Sequence, residues 1–320
     1  MKKIKSVTMA AVFSFTAFGI YNCTNNEGLF EGFPTENDYN NLQEVHEELT
    51  LADTLSFQII DPYTDTSYTT PGGLVLNFPD QTDEGAATIN APLTVSVIEI
   101  YKRGDFVRHN VQTFANMEPL VSGGGFWIRI QDVTGAIIDY SGVTAIMPYK
   151  TSADEFLDAM NLYTGITQTT PSGMVNSWQT FGSYSLTFDP DAGVNGEFSF
   201  DVLVNQWNSA EAPYDTESTE MTQISVQIPE VTDFSNAEAF FISNDYTTIA
   251  ALTSAEDGML KSFPASIEKD ITGKVVVIAI VAGKLKYGIQ EVTVSGDDIF
   301  EVPVELGELS ALNVLLTSIN

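Results

Sequence analysis

The chain has 320 residues, 43% of them hydrophobic, enough apolar material for about two ordinary domains and too much for wholesale disorder. Asp and Glu number 43 against 13 Lys and Arg, for a formal net charge of −30. Such a surface repels phosphate backbones and anionic headgroups, so no nucleic-acid partner is expected.

At the N-terminus, Lys2, Lys3 and Lys5 form a short basic region, and Val7 to Ile20 is an apolar run broken only by small or hydroxyl residues. That run is too short to stay in a bilayer as a span but has the length of a signal-peptide core. Ile20-Tyr21-Asn22-Cys23 follows and resembles a lipoprotein signal, whose cysteine receives a diacylglyceryl group. Ile20 fits that pattern. Asn22 departs from it, since a small residue normally precedes the cysteine, and Ala17-Phe18-Gly19 offers a rival cleavage site that would leave a soluble protein. The expectation is a signal peptide over 1–22 and lipidation of Cys23, the one cysteine of the chain, which cannot form a disulfide within it. No later run reaches the ~18 apolar residues of a spanning helix, so the expected anchor to the outer membrane, on its periplasmic face or at the cell surface, is lipid alone.

Residues 23–48 are polar, rich in Asn and Glu, and read as a flexible tether in which His46 is simply solvated. Past residue 50 short alternating runs are punctuated by Gly, Pro, Asn and Asp. Leu74–Phe78 reads as a strand ended by Pro79, and Leu93–Tyr101 and Phe126–Ile130 alternate with period 2, the latter after a bend at Ser122-Gly123-Gly124-Gly125. Asp154–Leu162 has the spacing for a helical turn or two. Thr167–Gly173 is rich in Thr, Gln, Pro and Ser and marks a linker, with Trp178 on a closing strand. A second set of strands begins at Tyr184–Phe188. In it, Val275–Ala282 is apolar on both faces and so is expected to be central, with a tight turn at Gly283-Lys284. Leu309, Leu312, Leu315, Leu316 and Ile319 share one face of a C-terminal amphipathic helix. The fold class is therefore all-β: two β-sandwich-like domains, 49–178 and 179–320, after a signal peptide and tether, with one C-terminal helix.

Four stretches together suggest a family: Pro71–Pro79, Ala91–Tyr101, Leu120–Ile128 and Met160–Gly165. In that order they resemble Bacteroidota envelope lipoproteins whose first domain is similar to the ZU5 β-sandwich, over roughly residues 50 to 180. The second half, with Trp207-Asn208 and the closing helix, looks like the C-terminal domain that accompanies it. The resemblance implies a binding role, beside a membrane-protein partner, and supplies no reaction to transfer.

The chemistry within reach is narrow. Only His46 and His109 are present, and His109 carries no nucleophile-elbow sequence, so Ser/His catalysis is not expected. Gly123-Gly124-Gly125 lacks the Lys-Ser/Thr of a phosphate loop. Forty-three acids supply any carboxylate pair and make each pair uninformative. Asp189, Asp191, Asn195 and Glu197 place alternating oxygens in a glycine-bearing loop, a candidate calcium site, though Gly193 stands where an EF-hand would carry an acid. The plainer reading is a polar hairpin between Phe188 and Phe198. Trp207, in a polar setting with Asn208, Tyr214 and Asp215 nearby, is the candidate for stacking on a sugar ring. These observations point to a non-enzymatic binding or accessory subunit of an outer-membrane protein complex. A surface glycan-binding lipoprotein and a carboxylate-pair hydrolase are the alternatives.

Overall fold

A computed structural model describes residues 38–82, 89–151, 153–170, 173–180, 185–216, 218–229 and 231–320. The leader, Cys23 and residues 23–37 of the expected tether lie outside the described residues.

The period-2 segments become strands, and their inward faces pack in two layers. One seven-stranded sheet runs Leu55–Ile59, Leu93–Ile100, Glu118–Gln131, Gln206–Pro213, Asn161–Thr170, Gly173–Thr180, Val111–Ala115. A five-stranded sheet runs Thr187–Asp189, Glu197–Asp201, Thr144–Pro148, Val75–Phe78, Thr66–Thr69. Val95, Val97, Phe126, Ile128 and Ile130 of the first share a buried core with Leu76, Phe78, Ala145, Met147 and Phe198 of the second. Another five-stranded sheet (Ile249–Ala251, Ala237–Ser243, Thr272–Val281, Lys284–Thr293, Glu305–Leu306) packs on a four-stranded one (Ser254–Glu256, Met259–Lys261, Ser225–Gln227, Ile299–Glu301) around Ile224, Val226, Phe241, Val275 and Val277. The protein is thus mostly strand, as the alternation predicts.

A third core joins the two sheet pairs. Helix α1 (Leu42–Asp53), helix α2 (Arg103–Arg108) and helix α3 (Leu309–Thr317) bury Leu42, Val45, Leu49, Phe106, Val107, Leu312 and Leu316 between outward faces of the two larger sheets. This explains why Val275–Ala279 is apolar on both sides: Val275, Val277 and Ala279 face the second sheet pair, and Val276 and Ile278 face the helices. Arg108, 5% exposed, ties the three helices together. Its Nη1 donates to Asp53 Oδ2 at 2.8 Å and Asp105 Oδ1 at 2.9 Å, and its Nη2 to Thr317 Oγ1 at 2.6 Å. A buried guanidinium is tolerated because two carboxylates and a hydroxyl replace its water.

Several sequence readings change. The expected boundary at 178/179 falls inside the first sheet pair, since Thr187–Asp189, Glu197–Asp201 and Gln206–Pro213 all pair with strands from before it. On either side of 171–172 the expected boundary stretch Thr167–Gly173 is paired strand, in a ladder from Tyr163↔Thr180 to Thr170↔Gly173. Polar composition suggests a linker there because Thr167, Thr169 and Met174 are solvent-exposed. Tether residues 42–48 are helix α1, whose Asn41 side chain accepts from Glu44 N at 3.1 Å. The Ser122–Gly125 bend is instead part of one continuous strand. Gly125 is needed there because a Cβ would stand 2.7 Å from Asn208 O on the neighbouring strand. The hairpin expected at Gly283-Lys284 turns one residue earlier, on Ala282 (φ 52°) and Gly283 (φ 77°), the paired positive φ of a tight β-hairpin turn.

Candidate functional site

The residues proposed for saccharide binding do not converge. Asn208 is fully buried and pins the preceding loop, donating to Leu203 O and accepting from Leu203 N, both at 2.9 Å. Tyr214 lies seven residues along from Trp207, about 23 Å in an extended strand, and its hydroxyl donates to Glu268 Oε2. Desolvation together with that carboxylate pushes the Tyr214 phenol well up. Asp215 is exposed and closes a turn onto Ser218. Trp207 is half-buried against the helix core, so it is less exposed than its polar neighbours in sequence suggested.

The proposed calcium loop is a hairpin. Asp189 pairs across to Glu197, Asp189 Oδ1 accepts from Asp191 N at 3.0 Å, and Asn195 is exposed. Gly193 and Gly196 supply the left-handed turns, at φ 60° and 101°. Among the described residues, no three His, Cys, Asp or Glu side chains group closely enough to hold a metal ion. Asp189 and Glu197 face each other across the hairpin, but Asp191 and Asn195 lie in the exposed turn between them.

Both histidines, by contrast, meet. His46 from α1 and His109 from the C-terminal cap of α2 line one cleft of about 450 Å³ together with Thr50, Glu47, Asn176 and Glu238. His46, only 12% exposed, has both ring nitrogens occupied: Nε2 lies 2.6 Å from Glu238 Oε1 and Nδ1 lies 3.0 Å from the carbonyl oxygen of Arg108. Both partners are acceptors, so the His46–Glu238 pair holds a proton that a neutral imidazole beside an ionised carboxylate would lack. Burial alone would lower the His46 pKa, but the Glu238 carboxylate outweighs it and the pKa is raised above 6.5. His109 goes the other way. Burial lowers its pKa, partly opposed by Asp53, whose Oδ2 is 3.4 Å from Nε2; its Nδ1 lies 3.2 Å from Thr50 Oγ1.

Neither ring is a free base. His46 has no nitrogen left for a nucleophile, and although Thr50, His109 and Asp53 are in sequence, the 3.4 Å approach of Asp53 fails hydrogen-bond geometry. The neighbouring amides are committed to the fold: Asn110 Nδ2 donates to Met174 O, and Asn176 Nδ2 to His109 O at 3.3 Å. The cleft therefore works as a clasp holding α1 against both sheet pairs. The linkage sign follows. A histidine whose folded pKa is raised contributes stability in full below pH 6.5, and that contribution is lost as pH rises through the folded pKa. A thermal-unfolding series should show wild type losing stability above pH 6.5. His46→Gln should be less stable than wild type below that pH and converge on it above; parallel curves would mean the pair does not titrate with folding.

The sequence hides this clasp because polar residues 23–48, which include the first half of α1, read as tether. The signal was present: Asn41 at a cap, then Leu42, Val45 and Leu49 at helical spacing.

The other feature is an aromatic row on the outward face of the seven-stranded sheet. Phe126, Ile128 and Ile130 point into the core, so Trp127 and Arg129 point out. Trp127 stands directly opposite Trp207 on the next strand, and Gly165 beyond Trp207 is opposite Trp178. A Cβ at Gly165 would lie 2.6 Å from Trp207 Cβ, so this glycine makes room for the indole. All three tryptophans of the chain thus share one transverse row, with Trp178 buried at one end and Trp127 half-buried at the other. Comparison of the chain with protein-family models, with curated proteins and with solved structures returns no match.

Proposed function

We propose that this protein is an exported, non-enzymatic lipoprotein, held to the outer membrane through Cys23, that acts as a binding or accessory subunit of an outer-membrane protein complex. The observation that carries this reading is the order basic region, short apolar run, aliphatic residue and lone cysteine at the head of a β-rich chain. The resemblance to ZU5-containing envelope lipoproteins supports it. So does the commitment of both histidines to structure, which removes the obvious general bases. Asp38 is already bridged to Lys284, so at most fifteen residues separate Cys23 from the packed body, a reach of about 50 Å at full extension. The first helix after that stretch is wedged between the sheet pairs. A lipid on Cys23 would therefore keep the packed body within about 50 Å of the membrane surface, within reach of a membrane-protein partner.

The test is fractionation of cells producing the full chain. Wild type should sediment with the outer membrane and, after mild solubilisation, elute with a stoichiometric membrane protein. Cys23→Ala should move to the soluble fraction. A Cys23→Ala variant that still fractionates with membranes would remove the anchor, and a wild-type protein that elutes alone would remove the partner.

A further inference from the structure

We propose that a patch on the seven-stranded sheet's outward face, formed by Trp127, Trp207 and Arg129, binds a saccharide carrying a single carboxylated ring within an otherwise neutral chain. This goes beyond the anchoring role and does not depend on it.

The first observation is Trp127 itself. It is half-buried and belongs to none of the three cores; it stands beside buried Ile98, directly opposite it on the neighbouring strand, and keeps part of its indole exposed. Directly across from it is Trp207, itself half-buried, on a strand about 5 Å away. Together the two indoles make a short, partly exposed aromatic platform on that face of the sheet. The second observation is the next row, about 7 Å along the strands, where Ser56, Ser96 and Arg129 stand side by side. The two serine hydroxyls lie 3.4 Å apart and are exposed, and so is Arg129. An apolar row flanked by a hydrogen-bonding row matches a pyranose ring, which offers a C–H face to an aromatic surface and hydroxyls at its rim.

Charge selects among saccharides. Arg129 holds its guanidinium 4.9 Å from the Trp127 ring centre, and among the described residues no carboxylate lies within ion-pair distance of it. In a chain with 43 acids and 13 Lys and Arg, an exposed guanidinium left to an indole is available for an incoming carboxylate, which its fork can grip with two hydrogen bonds. The net charge of −30 sets the opposite limit, because a polyanion would be repelled along its length. One carboxylate meets one arginine at contact, while repulsion from more distant acids is screened over about 8 Å at physiological salt. A singly acidic oligosaccharide satisfies both conditions.

The experiment is a titration of the detergent-solubilised full chain, followed by tryptophan fluorescence, since two of its three indoles form the platform. The probes are xylotriose bearing one glucuronosyl branch, neutral xylotetraose, and tetragalacturonate. The expected result is saturable binding of the branched acid at least tenfold tighter than either other probe. Arg129→Gln, at an exposed position, should abolish the preference over xylotetraose, and Trp127→Ala should weaken the branched acid at least tenfold with the circular dichroism unchanged. Equal binding of xylotetraose by wild type, a preference that survives Arg129→Gln, tightest binding of tetragalacturonate, or no saturable binding of the branched acid would each overturn the proposal.

Discussion

Gly104→Ala is expected to lower the stability of this protein by about 3 kcal/mol or more, seen as a fall of roughly 10 °C in the unfolding midpoint. Gly104 lies in the first turn of α2, and a Cβ there would stand 1.8 Å from the carbonyl oxygen of Leu316 and 2.7 Å from its carbonyl carbon. Both are backbone atoms of α3, so no rotamer change relieves the clash, and α3 would have to back away. Retreat carries further losses. Gly104 N donates to Ile319 O at 3.2 Å, Arg103 Nη1 donates to the Asn320 carbonyl oxygen at 2.5 Å, and Arg108 Nη2 reaches Thr317. Leu312 and Leu316 would lose their burial between the sheet pairs. The variant should also become sensitive to limited proteolysis within 309–320. Gly296→Ala is the control: a Cβ there meets nothing within 4 Å, and its stability should stay within about 0.5 kcal/mol of wild type. A Gly104→Ala protein as stable and as protease-resistant as that control would show that α3 does not press on α2.

The second large effect has the opposite sign. Glu211 is fully buried in the middle of the seven-stranded sheet, where Ser122 Oγ (2.7 Å) and Ser209 Oγ (2.5 Å) both donate to Oε1, and Oε2 has no partner among the described residues. Burial pushes its carboxyl from 4.5 to about 8, although the two serines pull it down. The folded form thus keeps a proton that the unfolded chain releases. Between pH 4.5 and about 8 the native state binds more protons than the unfolded state, so stability falls as pH rises across that window and levels off above it. At neutral pH the cost is about 3 kcal/mol. Glu211→Gln keeps the carbonyl that the serines address and cannot ionise. It should unfold about 5–10 °C higher than wild type at pH 8 and at nearly the same temperature at pH 4.5. The remaining decline above pH 6.5 in this variant belongs to the His46–Glu238 pair, so the double variant with His46→Gln should lose no stability between pH 6.5 and 8, while His109, whose pKa is lowered, costs stability only as pH falls below 6.5. Glu211→Gln less stable than wild type at pH 8 would mean that the buried carboxylate is ionised and satisfied.

These two effects also divide what was legible from what was not. Alternation along Leu93–Ile100 and Phe126–Ile130 announces half-buried strands, because one face must be apolar wherever a sheet covers a core. The doubly apolar Val275–Ala279 announces a strand covered on both sides, and Leu309, Leu312 and Leu316 announce a helix with one buried face. Each is a local, periodic signal. Glu211 gives no such signal. It sits among Ser209, Ala210 and Ala212 as any surface acid might, and only the pairing of its strand with Glu118–Gln131 seals it from water. Gly104 is likewise one glycine among 23 until α3 returns from more than 200 residues away to press on it.

The site residues follow the same rule. Trp207 drew attention through its polar neighbours, but Asn208 turns inward and Tyr214 is carried a strand's length away, while Trp127, eighty residues earlier, becomes its cross-strand partner. His46 and His109 each lack a motif in sequence, and the packing of α1 onto α2 brings them to one cleft. By itself, then, the sequence determined a β-rich chain with a closing helix, because side-chain periodicity is imposed by the geometry of each element and needs no partner to be read. Which strands pair across the expected boundary at 178, which acids lose their water and which aromatic rings stand side by side were decided only by the tertiary structure. Burial and proximity are properties of pairs of segments distant in the chain, and no single segment carries them.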